Sequence, residues 1–225
     1  MMLENIRFNK GEETNDDQFS KKLSKLGDIY VNDAFSCSHR SHASVDGVTK
    51  YIPSYFGLQI IQEIEALKKI TSEIKKPVTL VIGGSKISTK IKIINNLAKK
   101  FDNIVIVGGM ANTMLKYTGA KVGKSICEKD CGPLIKEIID ISKKFDCKII
   151  CPIDVVVSKN VEGFAKNKDI NEIENDEMIL DIGPKTISLI KKIINKSNTV
   201  LWNGPAGYFE NPNFQNGTKE IIEII

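Results

Sequence analysis

Arginine is nearly missing from this chain: of its 32 cationic residues only Arg7 and Arg40 are not lysine. Histidine occurs twice and tryptophan once, in 225 residues. Long apolar runs are also absent, and none approaches the roughly 18 to 20 residues that span a bilayer. The start, MMLENIRFNK, has no hydrophobic stretch of signal-peptide length. A soluble, cytoplasmic chain with no membrane partner is therefore expected. Five cysteines, an odd count, point to a reducing compartment rather than a disulfide framework. The net charge is only +4, and the lysines fall in scattered pairs such as Lys68/Lys69, Lys99/Lys100 and Lys191/Lys192. Such charge describes solvated helix faces, so no nucleic-acid partner is expected. With 41% hydrophobic and 27% charged residues, disorder, a collagen-like chain and a miniprotein are excluded.

What is scarce is placed unevenly. Guanidinium offers a planar fork of donors that an ammonium cannot copy, so two arginines in a lysine-rich chain are candidates for binding phosphate or carboxylate, with a surface ion pair as the plainer reading. His39 and His42 bracket Arg40, and Trp202 opens the segment WNGPAGYFE.

Apolar runs bounded by glycine or aspartate alternate with stretches of helical period. Strands are expected over Ile29–Val31, Thr79–Ile82, Ile104–Val107, Lys148–Cys151, Met178–Ile182 and Thr199–Trp202, with a further one at Leu3–Arg7. Helices are expected over Asp17–Leu26, Leu58–Ser72, Ser88–Lys99, Ala111–Tyr117, Gly132–Lys144 and Pro184–Asn195. Unbroken apolar strands alternating with helices from residue 78 onward describe a doubly wound α/β domain with a parallel sheet. Ligands of such sheets bind at the carboxyl ends of the strands.

Three of those ends carry glycine. VIGGSKISTK places Gly83 and Gly84 at a turn, with Lys86 and Lys90 beyond and Ser88 positioned to cap the next helix. IVIVGGMANT repeats the double glycine at Gly108 and Gly109, and VLWNGPAGYFE closes the last strand. Glycines let a phosphate approach the backbone, a helix start offers unpaired N–H groups, and lysine adds full charge. Any one of them reads equally as a structural turn; three in one sheet point to a nucleotide. Other motifs fail. GAKVGKS, Gly119–Ser125, has three residues between its glycines where a phosphate-binding P-loop needs four, and follows a helix. Cys127, Cys131, Cys147 and Cys151 imitate zinc spacing, but the last two run into a strand, where four residues span roughly 13 Å. Core or surface thiols are the better reading. No metal ligand set is expected, and no dinucleotide fingerprint occurs.

The segments MLENIRFNKGEE, DIYVNDAFSCSHRSHAS, VIGGSKISTKI, VGGMANTMLKYTGAKVGKSICE, DEMILDIGPKT and WNGPAGYFENPNFQNGT together resemble the phosphoglycerate kinase family over essentially the whole chain. The resemblance implies two α/β domains joined by a helix: residues 1–56 as part of the 3-phosphoglycerate-side domain, 57–75 as the connecting helix and 76–225 as the nucleotide-binding domain. It implies phosphoryl transfer between 1,3-bisphosphoglycerate and ADP, giving 3-phosphoglycerate and ATP, with Mg-ATP or Mg-ADP as the nucleotide. Arg7 and Arg40 then correspond to substrate-side arginines, with His39 beside them. Lys86 corresponds to the lysine that meets the transferred phosphoryl group, and Lys90 and Asn203 to phosphate contacts. Gly84, Gly108 and Gly109 correspond to backbone positions along the nucleotide, and Glu210 to the ribose acceptor.

The chain also departs from the family pattern. The Asp and Asn substrate loop, a further arginine and a His and Arg loop that precede this region in the family have no counterpart here, nor has the Gly-Gly-Gly-Asp loop carrying the Mg-binding aspartate. A central fragment is expected, impaired alone and prone to aggregate, with its missing parts on complementing chains of a split enzyme or lost from a decayed reading frame. Ile221, Ile222, Ile224 and Ile225 are expected to lack packing partners. A non-catalytic nucleotide-binding module, or an interaction fragment with no ligand, are the alternatives.

Overall fold

A computed structural model describes residue 2, residues 4–72 and residues 74–225. Two compact units divide the chain, Met1–Glu73 and Ile74–Ile225.

Unit 1 opens with a 3-10 turn at Ile6–Phe8, where a strand was expected; Leu3 lies outside the described residues. Asn5 explains the difference, because its side chain accepts from the Arg7 amide at 3.1 Å and closes a turn instead of an extended ladder. Short helices α1 (Lys10–Glu13) and α2 (Asp17–Ser24) follow. Strands β1 (Tyr30–Asn32) and β2 (Ser54–Phe56) pair in parallel, Tyr30 opposite Ser54. Helix α3 (Leu58–Ser72) starts against Asp33, whose Oδ1 accepts from the Ile60 amide at 3.1 Å. The Gly57 backbone passes so close that a Cβ there would meet the Asp33 carboxyl carbon at 2.3 Å.

Unit 2 is built on four parallel strands. In chain order its elements are β3 (Val78–Ile82), α4 (Ile91–Leu97), β4 (Asn103–Ile106), α5 (Gly108–Tyr117), α6 (Gly132–Lys144) and β5 (Lys148–Ile150). Then come β6 (Asp154–Ser158), β7 (Lys166–Asp169), β8 (Met178–Ile182), α7 (Pro184–Ile194), β9 (Thr199–Asn203) and α8 (Asn216–Ile224). The sheet order is β5-β4-β3-β9. Every residue of β3 is buried, so its alternating side chains feed two cores. Val78, Leu80 and Ile82 pack with Ile94, Ile104 and Ile138 on one face. Val81 packs with Val105, Ile182, Ile190 and Ile221 on the other.

The Met178–Ile182 run, read in the sequence as one more parallel strand, instead joins a separate antiparallel sheet in the order β7-β6-β8. Its partner β6, DVVVS, has the same apolar character but a bulge between Val156 and Val157, and the polar β7, KNKD, carries no period-two signal. Two of the four terminal isoleucines, Ile221 and Ile224, also differ from expectation. Ile221 is fully buried and Ile224 packs against the same core, while Ile222 and Ile225 are exposed, which is the division an amphipathic helix makes.

Candidate functional site

Strands β3, β4 and β9 run parallel with Ile82 level with both Ile106 and Asn203, so Gly83, Gly108 and the Trp202–Asn203 end lie at one edge of the sheet. There the Gly83 amide joins β3 to β9 by donating to the Asn203 carbonyl at 2.8 Å, and Trp202 Nε1 holds the turn after β9 by donating to the Gly204 carbonyl at 2.7 Å. A Cβ on Gly83 would sit 2.2 Å from the Pro205 carbonyl oxygen, so no other residue fits. Gly108 takes a φ of +66°, bringing β4 into α5 with Val107 alone between them. The Met110 amide then donates to the Gly84 carbonyl at 2.8 Å, tying the second glycine pair to the first.

This close backbone packing leaves a cavity of about 340 Å³. Gly84, Gly108, Gly109 and Glu210, all singled out in the sequence, line it. Its remaining walls are mostly apolar, including Ile126, Pro152, Val155, Met178, Leu180 and Pro205. Ser85 and Tyr208 also line it, as do the buried polar residues Asn112 and Asp181. Asn112 donates from Nδ2 to the Ile126 carbonyl at 3.3 Å, and its Oδ1 has no hydrogen-bond partner among the described residues. Asp181, 2% exposed, accepts from the Ile182 amide at 2.9 Å and from the Gly217 amide at 2.7 Å. Burial nonetheless pushes its carboxyl up to about 6 against those two donors.

The lysines stand outside the cavity wall on the loop that leaves Gly84. Lys90 Nζ donates to Asn203 Oδ1 at 2.6 Å, so these two site candidates meet directly. Lys86 is exposed, its carbonyl accepting from Thr89 Oγ1 at 2.9 Å. Ser88 does not cap α4, which starts at Ile91 with Lys90 as its N-terminal neighbour. Its amide and hydroxyl both donate to the Glu128 carboxylate instead, the amide at 3.0 Å. Nothing in the sequence singled out Glu128, because a cap supplied from forty residues away leaves no local motif.

In unit 1, Arg40 and His39 line a polar hollow of about 670 Å³ with Tyr30, Asn32, Asp46 and Tyr55. Arg7, exposed in the Ile6–Phe8 turn, is not part of that lining. The loop carrying Arg40 is anchored by Glu12, 2% exposed, which accepts from the Ser44 amide at 3.0 Å and hydroxyl at 2.6 Å and pairs with His42 Nδ1 at 3.5 Å.

GAKVGKS has a structural role: the Lys124 amide donates to the Glu177 carbonyl at 2.7 Å, which leaves the loop joined to β8. Cys131 and Cys147 are buried in the first core of unit 2. Among the described residues no three His, Cys, Asp or Glu side chains are grouped to hold a metal ion, and no helix is long and apolar enough to cross a membrane.

A glycine-lined cleft at the carboxyl ends of a parallel sheet defines the class: an α/β protein of the kind whose ligands bind where such strands end. Within that class the chain belongs to the phosphoglycerate kinase family, whose model matches residues 1–225. It is 46% identical over 225 residues to the phosphoglycerate kinase of Chelativorans sp., covering 99% of this chain and 56% of that protein. Against the Dictyoglomus turgidum enzyme the identity is 47% over 227 residues, covering 100% and 57%. The phosphoglycerate kinase structures from Coxiella burnetii and Pyrococcus horikoshii superpose with TM-scores of 0.86 and 0.85 at 37% and 31% identity; the chain is covered to 98% and 99% and spans 57% and 59% of them. The chain thus spans a little over half the length of the relatives it matches.

Proposed function

We propose that unit 2 is the nucleotide-binding part of a phosphoglycerate kinase, acting in phosphoryl transfer between 1,3-bisphosphoglycerate and ADP to give 3-phosphoglycerate and ATP. The observation that carries this reading is the meeting, at one sheet edge, of the Gly84, Gly108 and Gly109 backbone, the Glu210 wall and the Lys90–Asn203 pair. An apolar slot beside a glycine backbone suits a flat base, Glu210 suits ribose hydroxyls, and the lysine loop suits phosphates. Lys86, exposed and in no ion pair among the described residues, is assigned to the transferred phosphoryl group, with Lys90 and Asn203 on the nucleotide phosphates. The acceptor oxygens of this reaction are already ionised near neutral pH, so no general base is required and catalysis rests on positioning and charge neutralisation.

Residues 1–56 are assigned to the 3-phosphoglycerate side and 57–75 to the connection between the domains. Arg7 and Arg40 are the substrate arginines in this reading, and the exposed guanidinium of Arg40 beside His39 supports that role. Magnesium enters as companion of the nucleotide phosphates. The cavity residues do not fit a resident ion, because the Asp181 carboxylate is already taken by two backbone amides and no third acidic group joins it and Glu210 there. Five free cysteines support a cytoplasmic setting.

The two-stranded sheet of unit 1 favours a second feature, namely additional strands supplied by further polypeptide of the family's length, in the same or a complementing chain. Val31, Tyr55 and Phe56 are 54%, 60% and 63% exposed on strands with one open edge each. Calorimetric titration of the chain with Mg-ADP tests the central proposal. Binding that is abolished by Lys90→Ala is expected; absence of heat at millimolar ADP would overturn it.

A further inference from the structure

The loop Ser85–Lys90 carries both lysines, yet short-range contacts alone do not hold it. Ile87 anchors it by full burial, and the Lys90 and Ile91 amides donate to the Ile87 carbonyl at 2.9 and 3.0 Å, forming one helical turn. The start of that turn is closed from elsewhere. Ser88 gives its amide and its hydroxyl to the two carboxylate oxygens of Glu128. The Glu128 amide donates to Thr113 Oγ1 at 3.1 Å, and that hydroxyl donates to the Gly109 carbonyl at 3.0 Å. Glu128 therefore bridges the two glycine-bearing strand ends: its carboxylate holds the lysine loop after β3, and its backbone is fastened to α5 after β4 at Thr113, whose hydroxyl reaches back to the Gly109 carbonyl in the first turn. The Ser88 hydroxyl holds the Glu128 carboxyl below the usual carboxylate range, as expected where a negative charge meets unpaired amides at a helical start.

We propose that Glu128 is a positioning residue for the nucleotide phosphates: it clips the Ser85–Lys90 loop to α5 and so fixes where the Lys86 and Lys90 ammonium groups stand relative to the Gly84 and Gly108 backbone. The proposal rests on the nucleotide reading above. A clip acting through the lysines affects the phosphate end of a ligand and leaves the base end alone, which a merely structural carboxylate would not do.

The test compares ADP with adenosine on the full chain. ADP affinity is measured by calorimetry, adenosine affinity by the amide shifts of Gly84 and Gly108, and loop order by hydrogen exchange at the Ser88 amide. Loss of a charge-assisted pair of hydrogen bonds is expected to weaken ADP roughly tenfold in Glu128→Ala. Adenosine binding is expected to stay unchanged while Ser88 exchanges faster. Glu128→Gln, whose single acceptor oxygen can keep one of the two bonds, is expected to fall between, and Ser88→Ala offers the same reading from the other partner should the alanine variant fold poorly. Equal loss of ADP and adenosine, or unchanged ADP affinity, overturns the proposal. If the wild-type chain binds no ADP, the nucleotide reading fails on the wild type alone; Ser88 exchange in Glu128→Ala then still decides whether the clip exists, and unchanged exchange overturns it.

Discussion

Asp181 links the cavity to stability through a single proton. Its carboxyl stands at about 6 instead of 3.8 because it is buried. A folded-state value above the unfolded one favours the protonated form in the fold. The stability this preference contributes is complete below about pH 4 and is lost as pH rises through 6. Each tenfold change in proton affinity is worth roughly 1.4 kcal/mol, so the loss is about 3 kcal/mol. Urea unfolding of the wild type and Asp181→Asn across pH 4 to 7 checks this: the wild type should lose stability relative to the variant as pH rises, whereas a parallel pair of curves would contradict it. Cysteine follows the same logic. Burial raises Cys131, Cys147 and Cys151 to about 11, so near pH 8 only about a thousandth of each is thiolate. Iodoacetamide at pH 8, read by mass spectrometry, is expected to modify Cys37 in the folded chain and to leave those three untouched until it unfolds.

Among the elements, remote carboxylates start helices. Asp154, 3% exposed on β6, accepts from the Lys185 amide at 2.9 Å, the Thr186 amide at 2.7 Å and the Thr186 hydroxyl at 2.7 Å at the start of α7. Replacing it with alanine strands the two amides, while the Thr186 hydroxyl keeps its second acceptor, the Asp154 backbone carbonyl, at 2.9 Å. A loss of about 3 kcal/mol is expected, measured by chemical denaturation. A change below half that value would show that water replaces the carboxylate. This cap also shows where the sequence stops being readable. Strands β3, β4 and β9 and helices α3, α6 and α7 were legible because burial writes itself into unbroken apolar runs and helical periods. Gly84, Gly108 and Gly109 on the cavity wall were legible because strand ends in such a sheet have fixed meaning, whereas Glu210 was marked only by the family resemblance. Ser88 was misread because its partner lies at Glu128, and β8 was assigned to the wrong sheet because Val156 and Ile182 carry no mark of strand direction. Propensity records what a residue does to its neighbours in the chain; pairing across the fold leaves almost no trace.

At the scale of the whole molecule the two units differ in what they bury. Among described side chains, unit 1 buries the apolar residues Ala43, Val48 and Ile60, while Phe8, Val31, Tyr55, Phe56 and Leu58 remain exposed. Unit 2 closes two cores on either side of its sheet. Local opening costs least where few apolar contacts must break. Amides of residues 1–56 are therefore expected to exchange faster than those of residues 78–110, read by hydrogen-exchange mass spectrometry. Uniform slow exchange along the chain would refute this.

The pairing of β3 with β9 has a consequence for how the chain is made. The first strand of the parallel sheet takes its neighbour on one side from the last, Val78 beside Thr199. A ribosome adding roughly 5 to 20 residues per second leaves that edge open for on the order of ten seconds after β3 emerges. In that interval Val81 and Val105 already exist, while Ile190 and Ile221, which cover them, do not. The nascent chain thus presents an apolar, unpaired strand edge until Thr199–Asn203 has been made, an aggregation-prone interval that the finished fold does not betray.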